Sequence, residues 1–353
     1  MHAIDIYCFS MKLSDFDYPL PESSIADRPP LKRGTSRLLA LDHNNGSLTD
    51  SNYSDLPDYI RPGDLLVINN TRVIKARLQA TTMDGGKREL LLLETHGQNP
   101  SPHQVEVMYR RKLHDGQALQ IAGSKIEVAK IHGDGTATIT SPNNIYDLAD
   151  QYGSVPLPPY MHRTADSSDT ERYQTVFAKT AGSVAAPTAS LNLTQDILTA
   201  VQAAGATVAE LTLHVGLGTF MPIRTDDITD HVMHQEYFSI PQTTVAAIQK
   251  TKTSGGRVIA VGTTVTRTLE YAASKICSGG QPSAIQGEAD IFMYPGYKFE
   301  LVDAMLTNFH APHSTVLMMA AAFAGWDKLR PAYQHAVKNN YKFLSYGDSM
   351  FIY

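Results

Sequence analysis

Alternation of apolar and polar residues is clearest at 209–215, where Ala209, Leu211, Leu213 and Val215 fall on one side and Glu210, Thr212 and His214 on the other. That period predicts a strand with one polar face. A Gly216-Leu217-Gly218 turn follows, with Thr219 and Phe220 behind it. Without side chains, its backbone can lie close to a ligand. The apolar runs at 64–68 and 257–261 predict buried strands. The first ends in Asn69-Asn70-Thr71-Arg72, and the second leaves through Gly262-Thr263-Thr264 into a helix that bears Arg267. Further strands are expected at 289–293, before the turn Tyr294-Pro295-Gly296, at 302–307, before Asn308-Phe309-His310, and at 341–348 with a polar turn. Helices are expected around the Ile197, Leu198, Val201 stripe, over 244–252, and over 316–323. The first is capped by Asn192 or Thr194 and stopped by Gly205. The last starts at Ser314 and is apolar almost all round, hence buried.

Between 76 and about 142 the runs become shorter and are punctuated by Asp84-Gly85-Gly86, Asp115-Gly116 and Gly133-Asp134-Gly135, the pattern of hairpins. The resulting expectation is an α/β fold: a barrel-like α/β main domain built from 1–75 and 151–353, with a small antiparallel β-barrel inserted at 76–150. Residues 11–63, rich in proline, read as a wrapped entry segment, and Pro156-Leu157-Pro158-Pro159 as a stiff strap returning from the insertion. The insertion carries Arg110-Arg111-Lys112, the densest basic run. Such a run is commonly a solvated edge that guards a strand. Contact with a phosphate backbone is the sharper reading.

Composition narrows the classes. A chain of 353 residues with formal charge −5 has a large core and no global attraction to nucleic acid, so any RNA contact must be local. Cys8 and Cys277 stand in no disulfide or metal spacing, which suits a reducing cytoplasm. No apolar run spans a bilayer, and the first ten residues read as an extension ahead of Met11 without the form of a secretion signal.

His214, His231 and His234 lie close in sequence. One such histidine is ordinarily structural, but the cluster points to proton transfer. Zinc ligation by His231, His234 and Glu236, and a metal hydrolase using His214, His231 and His234, are weaker alternatives for want of a helical spacing. A dinucleotide loop is disfavoured because Phe220 stands where its third glycine would lie. Five polar segments, at 69–72, Thr188, 214–219, 263–267 and 308–310, fall at expected strand or strap ends. In a parallel α/β sheet such ends gather on one rim, where ligands bind. Their His, Thr, Asn and Arg groups suit an enzyme acting on a polar, hydroxylated ligand.

The sequence resembles the S-adenosylmethionine:tRNA ribosyltransferase-isomerases of queuosine synthesis from Met11 to Tyr353. The resemblance is carried by Gly63-Asp64-Leu65-Leu66-Val67, Asn69-Asn70-Thr71-Arg72, Pro156-Leu157-Pro158-Pro159-Tyr160, Tyr173-Gln174-Thr175-Val176, Ala185-Ala186-Pro187-Thr188-Ala189, Thr212-Leu213-His214-Val215-Gly216, Gly218-Thr219-Phe220, His231, Met233-His234, Thr307-Asn308-Phe309-His310 and Ser345-Tyr346-Gly347-Asp348.

The resemblance implies that the ribosyl part of S-adenosylmethionine passes to 7-aminomethyl-7-deazaguanine at the tRNA wobble position. Rearrangement to an epoxycyclopentanediol would give epoxyqueuosine and release adenine and methionine. It also implies an α/β domain with an inserted β-barrel, and no metal or organic cofactor beyond the sulfonium substrate. The partners expected are S-adenosylmethionine and a tRNA anticodon loop, with no membrane, for a cytoplasmic monomer.

The chemistry suggests His214 or His234 as the base beside the ribose 5′ carbon, and His310 as a proton source for adenine. Thr219, Thr263, Thr264 and Asn308 are candidates for ribose hydroxyls or adenine edges, and Phe220 or Tyr294 for the sulfonium. Arg72 and Arg267 are candidates for the methionine carboxylate or an RNA phosphate. Asn69, Thr71, Thr188, Gly216 and Gly218 complete the expected binding set. Where the family usually has Gly-Leu-His-Phe, this chain has Ser190-Leu191-Asn192-Leu193. Asparagine takes up no proton near pH 7, so a relative that binds nucleoside or RNA with altered or lost turnover is the alternative function.

Overall fold

Sheet strands, an excursion into a barrel and a return to the sheet follow one another along the chain. The structure, a computed structural model, describes residues 11–93, 101–216 and 223–353. β1 (Arg37–Leu41) and β2 (Leu48–Asn52) precede β3 (Leu65–Asn69), and β4 (Thr71–Val73) leads out of the sheet. β5 (Arg77–Thr82), β6 (Lys87–Leu92), β7 (Gln104–Arg110), β8 (Ala118–Ile121), β9 (Ser124–Ile131) and β10 (Thr136–Thr140) form the insertion, followed by helix α1 (Ile145–Tyr152). The short α2 (Asp169–Arg172) and β11 (Thr180–Ser183) bring the chain back to α3 (Gln195–Ala203), β12 (Thr207–Leu213), β13 (Glu236–Ile240) and α4 (Gln242–Thr253). β14 (Val258–Val261), α5 (Thr263–Tyr271), α6 (Ala273–Cys277), β15 (Ile285–Ala289), β16 (Ala304–Asn308), α7 (Thr315–Ala324), α8 (Trp326–Lys338) and β17 (Ser349–Ile352) complete it.

The main sheet has nine strands in the order β15-β13-β12-β3-β14-β16-β17-β1-β2. Its centre, β12-β3-β14-β16, is parallel, with Leu211 opposite Asn69, Ala260 opposite Val67 and Val261 opposite Leu306. Parallel neighbours require long crossovers. The crossover from β3 to β12 holds the whole insertion, so the barrel springs from the rim of the central strand. Leu65 and Val67 pack with Val245, Ile248 and Leu269 on one face, while Leu66 and Ile68 pack with Leu198 and Val201 on the other. Burial on both faces is why β3 reads as an unbroken apolar run.

The insertion is a closed six-stranded barrel, β10-β7-β6-β5-β8-β9, with an interior of Leu78, Leu90, Val107, Leu119, Ile126 and Ile139. The expected combination of an α/β main domain with a small antiparallel barrel is thus what the chain forms, and the main sheet is mixed, with antiparallel pairings at its flanks. A two-stranded parallel sheet of β4 and β11 makes the neck between the two parts, with Thr71 opposite Thr180 and Arg72 opposite Ala181.

Some expected elements are displaced. The strand expected at 289–293 lies four residues earlier, as β15, which pairs with β13 from Ile285 to Ala289 and shares only Ala289 with the expected segment. The strand expected at 341–348 begins only after the turn: Gly347 N–H donates to Leu344 O, and β17 then pairs with β16 and β1. Thr194, not Asn192, caps α3, accepting from Ile197 N–H at 3.2 Å.

Candidate active site

Parallel β12, β3, β14 and β16 end at Leu213, Asn69, Val261 and Asn308, so the polar groups that follow them share one rim. Asn69, fully buried, works as a piece of false strand. Its Nδ2 donates to Leu213 O at 2.9 Å, and its Oδ1 accepts from Leu213 N–H and Thr71 N–H, both at 3.1 Å. Its side chain is therefore spent on backbone, fixing where β12 ends. Asn70 continues the tie, accepting from the Thr212 hydroxyl at 2.7 Å and donating to Glu210 at 3.0 Å.

His214 follows directly. Its Nδ1 is 2.8 Å from the buried Thr71 hydroxyl, its ring stacks on Tyr237 with centroids 6.1 Å apart, and only 8 % of it is exposed. Burial pushes its pKa down to about 4, so it is neutral at pH 7. Gly182, in the neck, leaves room for the ring: a Cβ there would stand 2.7 Å from Nε2. The sequence offers no signal for this contact.

Behind Gly216 lies a second buried group. Glu236 accepts from Gly216 N–H at 3.1 Å and from Arg267 at 2.7 Å, and His234 Nε2 lies 3.5 Å from each of these two side chains. Glu236 and Arg267 are 0 % and 2 % exposed, so each neutralises a charge that burial alone would forbid. Among the described residues no group of three or more His, Cys, Asp or Glu side chains is arranged to hold a metal ion, and Glu236 is committed to Arg267. His231 packs edge-on against Phe292, and burial followed by the neighbouring His234 lowers its pKa. Tyr294 also packs on Phe292, with ring centroids 5.3 Å apart.

Thr188, Thr263, Thr264, Asn308 and His310 line one cavity of about 50 Å³, together with Val215 and Thr307 among others. It lies at the N-terminus of α5, where Gly262 adopts φ 95° and no side chain caps the helix. Thr264 Oγ1 and Asn308 Oδ1 are buried without hydrogen-bond partners among the described residues. Such atoms mark a place for ligand or water, since an unpaired buried polar atom costs about 1–3 kcal/mol. The α5 N-terminus adds orphan N–H groups and the positive end of a dipole.

His310 completes the wall. Its Nε2 is 2.8 Å from the Thr307 hydroxyl, its N–H donates to the Tyr333 hydroxyl at 3.1 Å, and its carbonyl accepts from Tyr18. Burial pushes its pKa down to about 3, which leaves no imidazolium to protonate adenine at neutral pH. Thr307, Tyr333, Tyr18 and Gly182 are absent from the sequence-derived site because their apolar or backbone neighbours conceal them.

Arg72 is exposed on β4 and lines a separate cleft of about 310 Å³ beside Lys75 and Asp150. Gly218, Thr219 and Phe220 lie outside the described residues. Asn192, 3 % exposed, donates to Gly347 O at 3.4 Å and is not part of the cavity wall.

Residues 13–352 match the family described as Queuosine biosynthesis protein. The S-adenosylmethionine:tRNA ribosyltransferase-isomerase of Chlorobium phaeobacteroides is 52 % identical over 344 residues, which are 97 % of this chain and 100 % of that protein. The enzyme of the same name from Geotalea uraniireducens is 46 % identical over 346 residues, with the same coverage. Among solved structures, that of S-adenosylmethionine tRNA ribosyltransferase from Thermotoga maritima matches with a TM-score of 0.55 and 31 % identity, covering 96 % of this chain and all of that one.

Proposed function

The chain belongs to the queuosine biosynthesis protein family, and from that membership we propose that it is an S-adenosylmethionine:tRNA ribosyltransferase-isomerase. It transfers the ribosyl moiety of S-adenosylmethionine to 7-aminomethyl-7-deazaguanine at the tRNA wobble position and isomerises it, giving epoxyqueuosine-tRNA, adenine and methionine. Beyond family membership, one observation carries the reading: buried Thr264 Oγ1 and Asn308 Oδ1, unpartnered among the described residues, belong to the lining of a cavity at the α5 N-terminus that neutral His310 also lines.

The positive end of α5 suits the acceptor atoms of adenine and ribose and repels a sulfonium. With adenine against Thr264, Asn308 and His310, the sulfonium and the 5′ carbon lie toward Val215, the residue after His214. The sulfonium acidifies the 5′ protons, and the base that takes one must be unprotonated beforehand. His214 meets that condition. With the Thr71 hydroxyl donating to Thr180 O at 3.5 Å, it accepts from His214 Nδ1–H and leaves the lone pair on Nε2, which faces Gly182 in the neck and reaches the 5′ carbon only as the rim opens. His310, also neutral, offers the departing adenine an N–H hydrogen bond.

A cavity of about 50 Å³ is well below the several hundred Å³ of ordinary ligand pockets, so the adenosyl group enters as the rim opens further. The protein works as a monomer in the cytoplasm, where its tRNA is found. Among the described residues no helix is long and apolar enough to cross a membrane.

The test is incubation with S-adenosylmethionine and tRNA bearing 7-aminomethyl-7-deazaguanine, followed by nucleoside mass spectrometry and adenine quantification. Epoxyqueuosine with stoichiometric adenine is expected. Intact substrate nucleoside and no adenine, under conditions where the Chlorobium relative turns over, would overturn the assignment.

A further inference from the structure

An enzyme of net charge −5 that takes an anionic RNA needs a local cationic surface. The inserted barrel has one. Strands β6 and β7 pair with Glu89 opposite Arg110 and Leu90 opposite Tyr109. That register brings Lys87 and Arg88, at the start of β6, beside Arg110, Arg111 and Lys112 at the end of β7. The juxtaposition is held in place: Arg88 Nε donates to Lys112 O at 3.1 Å, and Arg88 Nη1 to Lys87 O at 3.0 Å. Arg111 adopts φ 69°, a left-handed conformation uncommon for a residue other than glycine, and the strand ends just before it at Arg110.

The charges on this edge are largely uncompensated. Lys87, Arg111 and Lys112 are exposed and make no ion pair with any described residue. Glu89, opposite Arg110, is already taken by Arg77 at 2.5 Å, and Arg110 reaches it only at 3.5 Å while 68 % exposed; Asp84 interacts with Arg88 alone of the five. Guarding a strand edge explains one lysine or arginine there. It does not explain five, because β6 and β7 are interior members of a closed barrel and have no edge to guard.

The patch also opens toward the rest of the enzyme. A cleft of about 90 Å³ runs between Arg110 and Tyr109 on the barrel and the 156–159 strap. The strap leads to Tyr160, whose hydroxyl bonds Ser345, and that turn continues to Asp348, whose carbonyl accepts from Asn308 in the cavity wall.

We propose that this barrel edge, Lys87, Arg88, Arg110, Arg111 and Lys112, is the surface that grips the phosphate backbone of the tRNA while the wobble nucleotide is delivered to the rim. The inference rests on the ribosyltransferase reading. Phosphate contacts position the RNA without reading its sequence, and each released counterion steepens the dependence of binding on salt.

The experiment uses the full chain and an unmodified tRNA anticodon stem-loop, with binding followed by fluorescence anisotropy from 50 to 200 mM salt. Arg111→Glu/Lys112→Glu should raise Kd by roughly tenfold or more at low salt and flatten the plot of log Kd against log salt by about two. Steady-state turnover with the modified tRNA should show a raised KM for tRNA, with kcat and the KM for S-adenosylmethionine unchanged. A control reversal on another barrel face, Lys125→Glu, should leave the binding as in the wild type. Wild-type affinity and salt slope in the double variant would overturn the proposal, as would equal losses in the control. Failure of the ribosyltransferase reading is distinguished by a wild-type enzyme that releases no adenine, whatever the variants bind.

Discussion

The Thr71 hydroxyl stands 2.8 Å from Nδ1 of His214, joining the neck of the inserted barrel to the end of the polar-faced strand. Both groups are buried, and burial moves the imidazole from the ordinary 6.5 down to about 4. In the unfolded chain the same ring protonates as the pH falls through about 6.5. Between those values the unfolded state binds the extra proton, so stability is complete above pH 6.5 and declines toward pH 4. The loss from this ring is about 3 kcal/mol at the bottom of the window. His310, pushed down to about 3, adds a loss of the same sign.

Urea unfolding at pH 7 and pH 4.5 measures the decline, and His214→Asn isolates one ring because its amide keeps a partner for Thr71. The variant should lose less stability than the wild type between the two pH values. Identical losses would show that His214 is not held neutral by its surroundings.

Gly182→Ala tests whether the position of that imidazole matters to turnover. The added carbon would stand 2.7 Å from Nε2, closer than contact allows, on a backbone at φ 147° that resists a side chain. The ring must swing and give up Thr71. A displacement on the order of 1 Å can cost about a hundredfold in rate. Adenine release should fall by about one to two orders of magnitude, while thermal unfolding shifts by only a few degrees. An unchanged kcat would remove His214 as the base.

The central strands were legible because β3 and β14 carry apolar residues on both faces and β12 alternates. Packing of Leu65 and Val67 to one side and of Leu66 and Ile68 to the other is the physical content of that pattern. The rim followed from knowing which residues end parallel strands, and it gathered Thr188, Thr263, Thr264, Asn308 and His310 into one cavity. What stayed hidden depended on partners far away in the chain. Asn69 reads as a ligand group, yet its amide is consumed by Leu213 and Thr71. Gly182 carries no side chain to notice, and β17 lies beyond the segment expected for it because pairing with β16 begins only after the Gly347 turn.

Asn192 stands where the family resemblance implies an imidazole, and its surroundings indicate what the position does. Its Nδ2 donates to Gly347 O at 3.4 Å, and its side chain is buried away from the cavity wall. An N–H donor is required there, and both amide and imidazole supply one. Asn192→His should therefore change the rate of adenine release by less than about tenfold. Asn192→Ala should lower stability by about 1–3 kcal/mol by leaving the Gly347 carbonyl unpaired. A rise of several hundredfold in the histidine variant would instead identify this position as a site of proton transfer.

Arg267 and Glu236 form a pair in which the partners are unequal. Arg267 contacts Glu236 at 2.7 Å, but Glu236 also accepts from Gly216 N–H and so holds the turn that follows His214. Arg267→Met strands a carboxylate that is 0 % exposed, and breaking a buried pair from one side costs about 3–5 kcal/mol. Glu236→Gln leaves a neutral amide that still accepts from Gly216, although the guanidinium then lacks its counter-charge. Combining the two removes both charges. In a double-mutant cycle followed by urea unfolding, the combined variant should be more stable than Arg267→Met alone, by about 1–3 kcal/mol. It should also recover near-UV circular dichroism that the single variant loses. Strict additivity of the two substitutions would mean that the charges do not compensate each other, and that the turn at Gly216 is held by something else.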